Sequence, residues 1–301
     1  MRELFTKNNR LVDEVEWKIM ISEIKKKTNN GEINDKKTAI TILSKSIEDA
    51  IKKRIPDEKF GVLFSGGVDS TLIVFLCRKL NADFTCYSVG LKNSDDIRWA
   101  GSVAEKYDFE WKHREYSVEE VEEYVRKAIR ATGFIEDENM AVTAGVASVE
   151  IAAIELAKKD GIKILFGGLG SEEIFAGYER HIKAENINEE CWAGLLRMWR
   201  RDLLRDSKVA SNYNVEFRTP FLDEELIEAA MQVPGEFKIN SEHKKLILRE
   251  VAEQLGLESE FAFRPKKAAQ YGSGFDKAIE KLAKMKGFRK KGEWLKGLVL
   301  I

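Results

Sequence analysis

Apolar residues in positions 8–55 recur every three or four residues, a spacing that predicts two amphipathic helices. The helices are separated at 28–31, where consecutive asparagines precede a glycine. The positions predicted to face the core are Leu11, Val15 and Ile19 in the first helix and Ile40, Leu43, Ile47 and Ile51 in the second. Pro56 ends this segment, which offers no residues suited to chemistry and is interpreted as a helical lead-in.

From residue 60 onward, short apolar runs alternate with amphipathic stretches. The runs predict strands at 60–64, 84–89, 109–114 and 162–166, and the stretches predict helices at 71–80, 95–107, 118–131 and 145–159. Such alternation indicates an α/β fold in which helices cover both faces of a parallel sheet. Ligands of that fold bind at the carboxyl ends of the strands.

The pattern after residue 177 is mostly helical, with an irregular segment at 214–223 and a helix predicted at 241–255. We therefore divide the chain into a lead-in at 1–56, an α/β core at 57–187 and a C-terminal helical part at 188–301. The Trp- and Arg-rich stretch at 189–206 has helical spacing, which favours a core stripe beside a charged face over a nucleic-acid surface.

The stretch at 60–71 places a glycine turn, Ser-Gly-Gly-Val-Asp-Ser, between a strand and a helix. Gly66 and Gly67 allow close backbone approach, and the amide groups at the helix start form an anion site. Asp69 would repel a phosphate unless a cation lay between them, so it indicates Mg²⁺ and a polyphosphate. The turn matches neither the Walker A nor the dinucleotide fingerprint. An ordinary glycine turn with an Asp cap is the alternative.

A second glycine turn follows the strand at 162–166, with Gly168 ahead of Glu172 and Glu173. If both turns face one cleft, Asp69 and one of these glutamates could share a Mg²⁺ ion. Capping of a helix N-terminus is the other explanation for the glutamates. The strand at 84–89 ends at Val89-Gly90, which would place its backbone beside a nucleotide.

Composition narrows the classes of function. The net charge is −1, which gives no general electrostatic case for a nucleic-acid partner. The three cysteines form no Cys-x-x-Cys pair, which argues against zinc, iron–sulfur and dithiol chemistry. No apolar run reaches the roughly 18 to 20 residues of a membrane span, and the N-terminus has no signal-peptide core. We expect a cytoplasmic protein with no membrane partner.

The motifs, taken in order, carry a resemblance to a known family. Residues 65–70 resemble the SGGxDS pyrophosphate loop of the adenine nucleotide alpha hydrolase-like ATP pyrophosphatases. From about residue 35 to residue 280 the chain is similar to the synthetase domain of glutamine-dependent asparagine synthetase. The elements that match are 65–70, 89–90, 168–178, Asp202 with Arg205, 215–223, Lys245 with Leu248 and Arg249, and Arg264 with Lys266.

The resemblance implies a role for each matching residue. Asp69 and Glu172 would hold Mg²⁺, and the catalytic group would comprise Lys266, Asp69, Glu172 and Glu173. Lys266 would stabilise the departing pyrophosphate, with help from Lys245 or Arg249. The residues implied to contact ATP are Leu63, Ser65, Gly66, Gly67, Asp69, Ser70, Val89, Gly90, Gly168, Lys245 and Arg249.

The reaction implied is a two-step amide synthesis. A carboxylate, by default that of aspartate, would attack the alpha phosphate of Mg-ATP and give an acyl-adenylate and pyrophosphate. Ammonia would then attack the acyl carbon and give an amide and AMP. A ligase of the same mechanism could act on another carboxylate or amine, as relatives that close beta-lactam rings do. A tRNA- or nucleoside-modifying enzyme and a non-catalytic ATP-sensing module are weaker alternatives.

Departures from the family pattern concern the second substrate. Position two is Arg2, where glutamine-dependent members carry a cysteine nucleophile, so we expect ammonia or a separate glutaminase subunit to supply the nitrogen. Leu169 stands where the family has a catalytic Glu, and Ala144 where it offers an Arg. The sequence therefore supports ATP activation more firmly than it supports aspartate, and it leaves the oligomeric state open.

Overall fold

A five-stranded parallel sheet with strand order β5-β4-β3-β6-β7 forms the centre of the protein. The computed structural model describes residues 3–7, 10–28, 31–133, 140–265 and 268–299. Two further strands, β1 and β2, pair antiparallel near the N-terminus. The strands are β1 Thr6–Lys7, β2 Arg10–Leu11, β3 Phe60–Leu63, β4 Phe84–Leu91, β5 Trp111–Tyr116, β6 Ile164–Phe166 and β7 Glu216–Arg218.

Helices cover both faces of the sheet. They are α1 Glu14–Thr28, α2 Lys36–Lys52, α3 Val68–Lys79, α4 Asp95–Tyr107, α5 Val118–Thr132, α6 Met140–Lys158, α7 Ser171–Ile174, α8 Glu179–Ile182, α9 Ile187–Met198, α10 Leu204–Tyr213, α11 Glu224–Gln232, α12 Gly235–Lys238, α13 Leu246–Leu255, α14 Ser259–Ala262, α15 Ala269–Gly272, α16 Phe275–Met285 and α17 Lys291–Val299. A π-helix, Trp199–Leu203, joins α9 to α10, and a 3-10 turn, Pro220–Leu222, precedes α11.

The predicted α/β fold is confirmed, and the four predicted strands correspond to β3, β4, β5 and β6. The segment at 214–223 was predicted to be irregular, but it contains β7. This strand is only three residues long and lies at the sheet edge, where pairing with β6 creates it. A pattern of three residues is too short to show a period of two. The helix predicted at 241–255 begins at Leu246, directly after Lys245, whose φ is +56.

The prediction of which face of α1 is buried is wrong. Trp17 and Ile21 are buried, whereas Val15 and Ile19 are 66% and 53% exposed. Both sets of apolar residues have helical spacing, so periodicity could not choose between them. Packing against α9 and α11 decides the face, and the Trp17 Nε1 donates a hydrogen bond to the Leu195 carbonyl at 2.9 Å.

Among the described residues, α6 is the one helix long and apolar enough to cross a membrane by length and composition. We had expected no segment of that kind. The helix lies within the fold, where it packs against β4, α5, α10 and α16. Burial by these neighbours accounts for its apolar composition, as in the core helix of a globular domain.

The lead-in helices pack on the C-terminal helices, and α2 also packs on α3. α2 lies against α11 and α13. Buried Arg54, two residues after α2, pairs with Glu3 at 3.0 Å and with Asp223 at 2.8 Å. The N-terminal segment, the residues after α2 and the start of α11 therefore meet around one guanidinium group. The division into parts at 1–56, 57–187 and 188–301 stays a prediction.

A buried lysine in α12 makes stability depend on pH. Lys238 is fully buried, its Nζ lies 3.6 Å from Met231 Sδ, and burial lowers its pKa to about 8. In the unfolded chain the lysine has its ordinary pKa, so between about pH 8 and 10 the unfolded chain binds more protons than the folded protein does. In that range this lysine therefore makes the free energy of unfolding rise as the pH rises.

We expect Lys238→Met to raise the free energy of unfolding at pH 7 by about 2 kcal/mol and to remove that rise. Urea unfolding of both proteins from pH 7 to 10 measures the difference. Lys281→Met, at an exposed position of α16, is the matched control and should follow the wild type. A Lys238→Met variant less stable than wild type at pH 7 would contradict the expectation.

Candidate functional site

The first glycine turn connects β3 to α3 and is held by its own polar groups. The Ser65 amide lies 3.3 Å from Ser70 Oγ, and the Gly67 amide lies 3.4 Å from Ser65 Oγ. Gly66 has φ +65, and a Cβ there would lie 2.7 Å from the Ala100 backbone nitrogen. Both the conformation and the close approach of α4 therefore require glycine. Since α3 starts in this turn, the amide groups of its first turn form a site suited to phosphate.

The second glycine turn connects β6 to α7 and contacts the first. A Cβ on Gly168 would lie 2.9 Å from the Asp69 Cβ, and Gly170 has φ +97. The turns meet because β3 and β6 are neighbouring parallel strands, whose carboxyl ends lie at one edge of the sheet. The structure thus brings Asp69 and the residues after Gly168 into one cleft.

Lys245 lies between the two turns. Its ammonium is 2.8 and 2.9 Å from the Asp69 carboxylate oxygens, 2.8 Å from Glu172 Oε1 and 3.0 Å from Ser171 Oγ. The lysine adopts a left-handed conformation, which directs its side chain from the start of α13 back to the turns. Glu172 also packs closely on Gly177, where a Cβ would lie 1.6 Å from its Oε2. The lysine therefore acts as the counter-ion of both carboxylates.

These contacts test whether the residues suit Mg²⁺ and a polyphosphate. Asp69 and Glu172 contact one ammonium group, so their oxygens converge on a single cationic position. The described part of the chain holds no group of three or more His, Cys, Asp or Glu residues placed as metal ligands. Mg²⁺ commonly binds one or two carboxylates and takes its other ligands from phosphates and water. The donor set fits that mode of binding.

Two arginines support the first glycine turn through hydrogen bonds to backbone carbonyls. Arg249 was predicted to contact ATP, but its Nε and Nη1 donate to the carbonyls of Lys244, Ala262 and Arg264 at 2.6 to 3.1 Å. Its burial lowers its pKa. Arg264 donates to the Ser65 carbonyl at 2.6 Å. The hydrogen bonds of Arg249 therefore position the 262–264 backbone, and Arg264 in turn holds the first turn.

Glu173 lies apart from its neighbour Glu172. Its side chain is 1% exposed and pairs with Arg201, which also donates to the Tyr178 hydroxyl at 3.0 Å. Burial raises the pKa of the Glu173 carboxyl. Successive residues of α7 point to different sides of the helix, so only Glu172 reaches the cleft. The catalytic role that we predicted for Glu173 stays a prediction, and in the structure this residue is a buried partner of Arg201.

The remaining predicted residues differ in their positions. Leu63 and Val89 line the cleft, at the carboxyl ends of β3 and β4. Gly90 packs closely against its surroundings, since a Cβ there would lie 2.3 Å from Ser94 Oγ. Lys266, the predicted pyrophosphate-stabilising lysine, lies outside the described residues, and its role stays a prediction.

The cleft has a volume of about 1210 Å³ and extends from the two turns towards α6 and α10. Leu169, in the second turn, is partly buried and lines this space. The residues that line the far end include Val142, Val146, Val149, Glu150, Ala153, Arg201, Asp202, Arg205, Asp206 and Gln270.

The conserved-domain model for asparagine synthase matches residues 43–193 and 182–290, which together are most of the chain. The chain belongs to the asparagine synthase family. It is 34% identical to a putative glutamine-hydrolysing asparagine synthetase of Methanocaldococcus jannaschii, over 83% of this chain. It is 29% identical to the glutamine-hydrolysing asparagine synthetase B of Escherichia coli, over 81% of this chain.

The chain spans about half the length of these asparagine synthase relatives, 52% of the archaeal protein and 47% of the bacterial one. Among solved structures, that of NMN synthetase from Francisella tularensis aligns with 88% of this chain and 93% of its own, at 13% identity and a TM-score of 0.42.

The sequence did not reveal two features of the cleft. The bridging position of Lys245 depends on a left-handed backbone conformation at a non-glycine residue, which no pattern predicts. Glu150 was also missed, although it is a lone acidic residue on an apolar face of α6 that includes Val146 and Val149. A single charged residue on an apolar helical face is a sequence pattern that would have singled out Glu150.

Replacing Lys245 tests its role as counter-ion. Lys245→Met removes the ammonium that Asp69 and Glu172 share, so we expect the free energy of unfolding to fall by about 3 kcal/mol without magnesium. Magnesium chloride should restore much of this loss in the variant and change the wild type little, because in the variant the ion can replace the lost ammonium beside the two carboxylates.

Thermal unfolding with and without magnesium chloride measures both effects. Lys244→Met is the control, because Lys244 pairs with Glu179 on the surface and should give no magnesium dependence. If the Lys245→Met variant is as stable as the wild type and magnesium chloride does not change its stability, the lysine is not the counter-ion.

Proposed function

We propose that the protein is an ATP-dependent amide ligase that forms AMP and pyrophosphate. It adenylates a carboxylate, with aspartate as the default substrate, and transfers ammonia to the acyl group. The observation that supports this most is the meeting of two glycine turns whose carboxylates, Asp69 and Glu172, share one cationic position. Membership of the asparagine synthase family supports the same reaction.

The residues of the turns bind and orient the nucleotide. Amide groups at the start of α3 and the hydroxyls of Ser65 and Ser70 hold phosphate oxygens. Asp69 and Glu172 would hold Mg²⁺, which supplies positive charge for the pyrophosphate that departs. The Lys245 ammonium, which lies between these carboxylates in the structure, would move from that position when Mg²⁺ binds and contribute its charge to the phosphate oxygens. Preorganised charges of this kind are each worth roughly 3 kcal/mol in a transition state.

Ammonia enters the proposed reaction either free or from a separate glutaminase subunit, and we place the enzyme in the cytoplasm. The substrates are small molecules, and the net charge of −1 gives no support to a nucleic-acid partner.

A ligase of the same mechanism with another carboxylate or amine is the second candidate, and one observation favours it. Leu169 places an aliphatic side chain on the cleft where the resemblance implied a catalytic Glu. Leucine neither accepts a proton from ammonia nor holds it by a hydrogen bond. The acyl-acceptor side of the site therefore differs from the family pattern, while the phosphate side retains it.

ATP–pyrophosphate exchange across a panel of carboxylic acids tests the proposed function. We expect exchange with aspartate or with another acid of the panel, and AMP as the product in the presence of ammonium. Asp69→Asn should reduce exchange by at least about a hundredfold, because it weakens the proposed hold on magnesium. Asp83→Asn, at an exposed position before β4, is the control and should retain exchange.

Absence of exchange with every acid would refute the ligase. Exchange with an acid other than aspartate, and not with aspartate, would select the second candidate. Full exchange in a folded Asp69→Asn protein would show that the carboxylate is not needed at the phosphate site.

Leu169→Glu tests the acceptor side. A glutamate there could accept a proton from ammonia, so we expect the ammonium-dependent rate to rise several-fold with ATP–pyrophosphate exchange unchanged. Leu169→Gln adds a polar group without a base and is the control. If the Leu169→Glu protein keeps the wild-type ammonium-dependent rate, position 169 is not where the proton is transferred.

A further inference from the structure

α15 forms part of the cleft wall beside the carboxyl end of β4. The Leu91 amide, at that end, donates a hydrogen bond to the Ser273 carbonyl at 2.8 Å. A Cβ on Gly272 would lie 2.3 Å from Asp96 Oδ1, at the start of α4. The helix also packs against α6. Three neighbouring elements therefore hold α15 in the place where β4 ends.

The same helix is connected to the first glycine turn. Asp96, which lies against Gly272, pairs with Arg264 at 3.2 Å. Arg264 in turn donates to the Ser65 carbonyl at 2.6 Å. The position of α15 is therefore set relative to the turn where phosphate is expected to bind.

Gln270 is the residue of α15 that lies against α6. Its side chain is 4% exposed and lines the cleft. A Cβ on Gly145 of α6 would lie 3.2 Å from the Gln270 Cβ, so the two helices pack closely at this point. This packing restricts where the amide group of Gln270 can lie.

The amide oxygen of Gln270, Oε1, is screened from solvent and has no hydrogen-bond partner in the part of the chain that the structure describes. An amide oxygen accepts hydrogen bonds and cannot donate one. A buried acceptor without a donor costs free energy, and native proteins leave few of them. Because this oxygen belongs to a residue that lines the cleft, it indicates a ligand that supplies the donor.

The side chains that share this part of the cleft are largely apolar. Val142 and Val146, close to Gly145 on α6, line the cleft, as do Leu63 and Val89 at the ends of β3 and β4. α6 packs on both of these strands. Apolar walls with a few placed polar groups are typical of small-molecule sites. This combination suits a flat ring that carries an N–H group at its edge.

We propose that Gln270 Oε1 accepts a hydrogen bond from the 6-amino group of adenine and thereby makes the site selective for ATP. The triphosphate lies at the glycine turns, and the base lies towards the end of β4, where Leu63 and Val89 contact its ring. The inference rests on the proposed function, because ATP is the nucleotide of that reaction.

Other purines match this arrangement less well. Guanine carries an oxygen in place of the 6-amino group, and that oxygen would face a second acceptor. A purine with no substituent at this position would leave Gln270 Oε1 buried without a donor. Sites that hydrogen-bond a substrate discriminate against analogues that lack the bonded group, because the polar group of the site is then left unpaired.

Nucleotide binding measures this contact. The full chain is titrated by isothermal titration calorimetry, in magnesium chloride and without a carboxylic acid, so that the proposed reaction does not turn over. The probes are ATP, purine riboside 5′-triphosphate, GTP, 2′-deoxy-ATP and 3′-deoxy-ATP. Gln270→Met keeps the length of the side chain and removes the acceptor. Gln254→Met, at an exposed position of α13, is the control.

We expect the wild type to bind ATP about tenfold more tightly than purine riboside triphosphate or GTP, because one hydrogen bond to a buried acceptor is lost. Gln270→Met should weaken the binding of ATP about tenfold and leave that of purine riboside triphosphate unchanged. Both deoxynucleotides should respond to Gln270→Met as ATP does. Gln254→Met should bind every nucleotide as the wild type does.

Equal binding of ATP and purine riboside triphosphate by the wild type would overturn the proposal, and this comparison needs no variant. A Gln270→Met protein that binds both nucleotides more weakly by the same factor would show that the glutamine only supports the packing of α15. If either deoxynucleotide is insensitive to Gln270→Met, the contact is to the ribose, and the proposed contact to the base is wrong.

The same probes separate this inference from the proposed function. If no acid supports ATP–pyrophosphate exchange, the ligase is refuted, and the preference for the 6-amino group still decides whether Gln270 contacts the base. If exchange occurs and purine riboside triphosphate supports it with the same KM as ATP, the ligase stands and the contact of Gln270 is refuted.

Discussion

The ion pairs that join Asp69, Lys245 and Glu172 are the interaction on which the site depends. They connect the turn after β3, the turn after β6 and the start of α13, three segments far apart in sequence. Asp69 and Lys245 are buried, and two carboxylates close together in such surroundings would repel each other strongly without a cation. The lysine allows the nucleotide-free protein to hold a geometry suited to magnesium and phosphate.

This interaction exists because of the sheet topology. β3 and β6 are parallel neighbours, so the turns that follow them leave the sheet at the same edge. Glycines at 66 and 168 allow the contacts with α4 and between the turns that larger residues would prevent. Arg264 and Arg249 then support the first turn from behind through backbone carbonyls. The first glycine turn is therefore held by close packing and by hydrogen bonds within the chain itself.

The two ends of the cleft carry different sets of charged groups. At the glycine turns, amide groups and Lys245 favour phosphate, and Asp69 with Glu172 favour a metal ion. At the α6 end, Arg180, Arg201 and Arg205 line the cleft together with Glu150, Asp202 and Asp206.

The sequence by itself determined the alternation of strands and helices, the two glycine turns and their carboxylates, because these depend on local spacing and on chemistry that few residue types supply. The family followed from the same motifs. Only the tertiary structure decided which apolar face of α1 is buried, that β7 completes the sheet, and that Glu172 faces the cleft while Glu173 pairs with Arg201. It also placed Lys245 between two carboxylates and Glu150 opposite Arg205. These outcomes depend on contacts between residues distant in the chain, and local patterns do not contain that information.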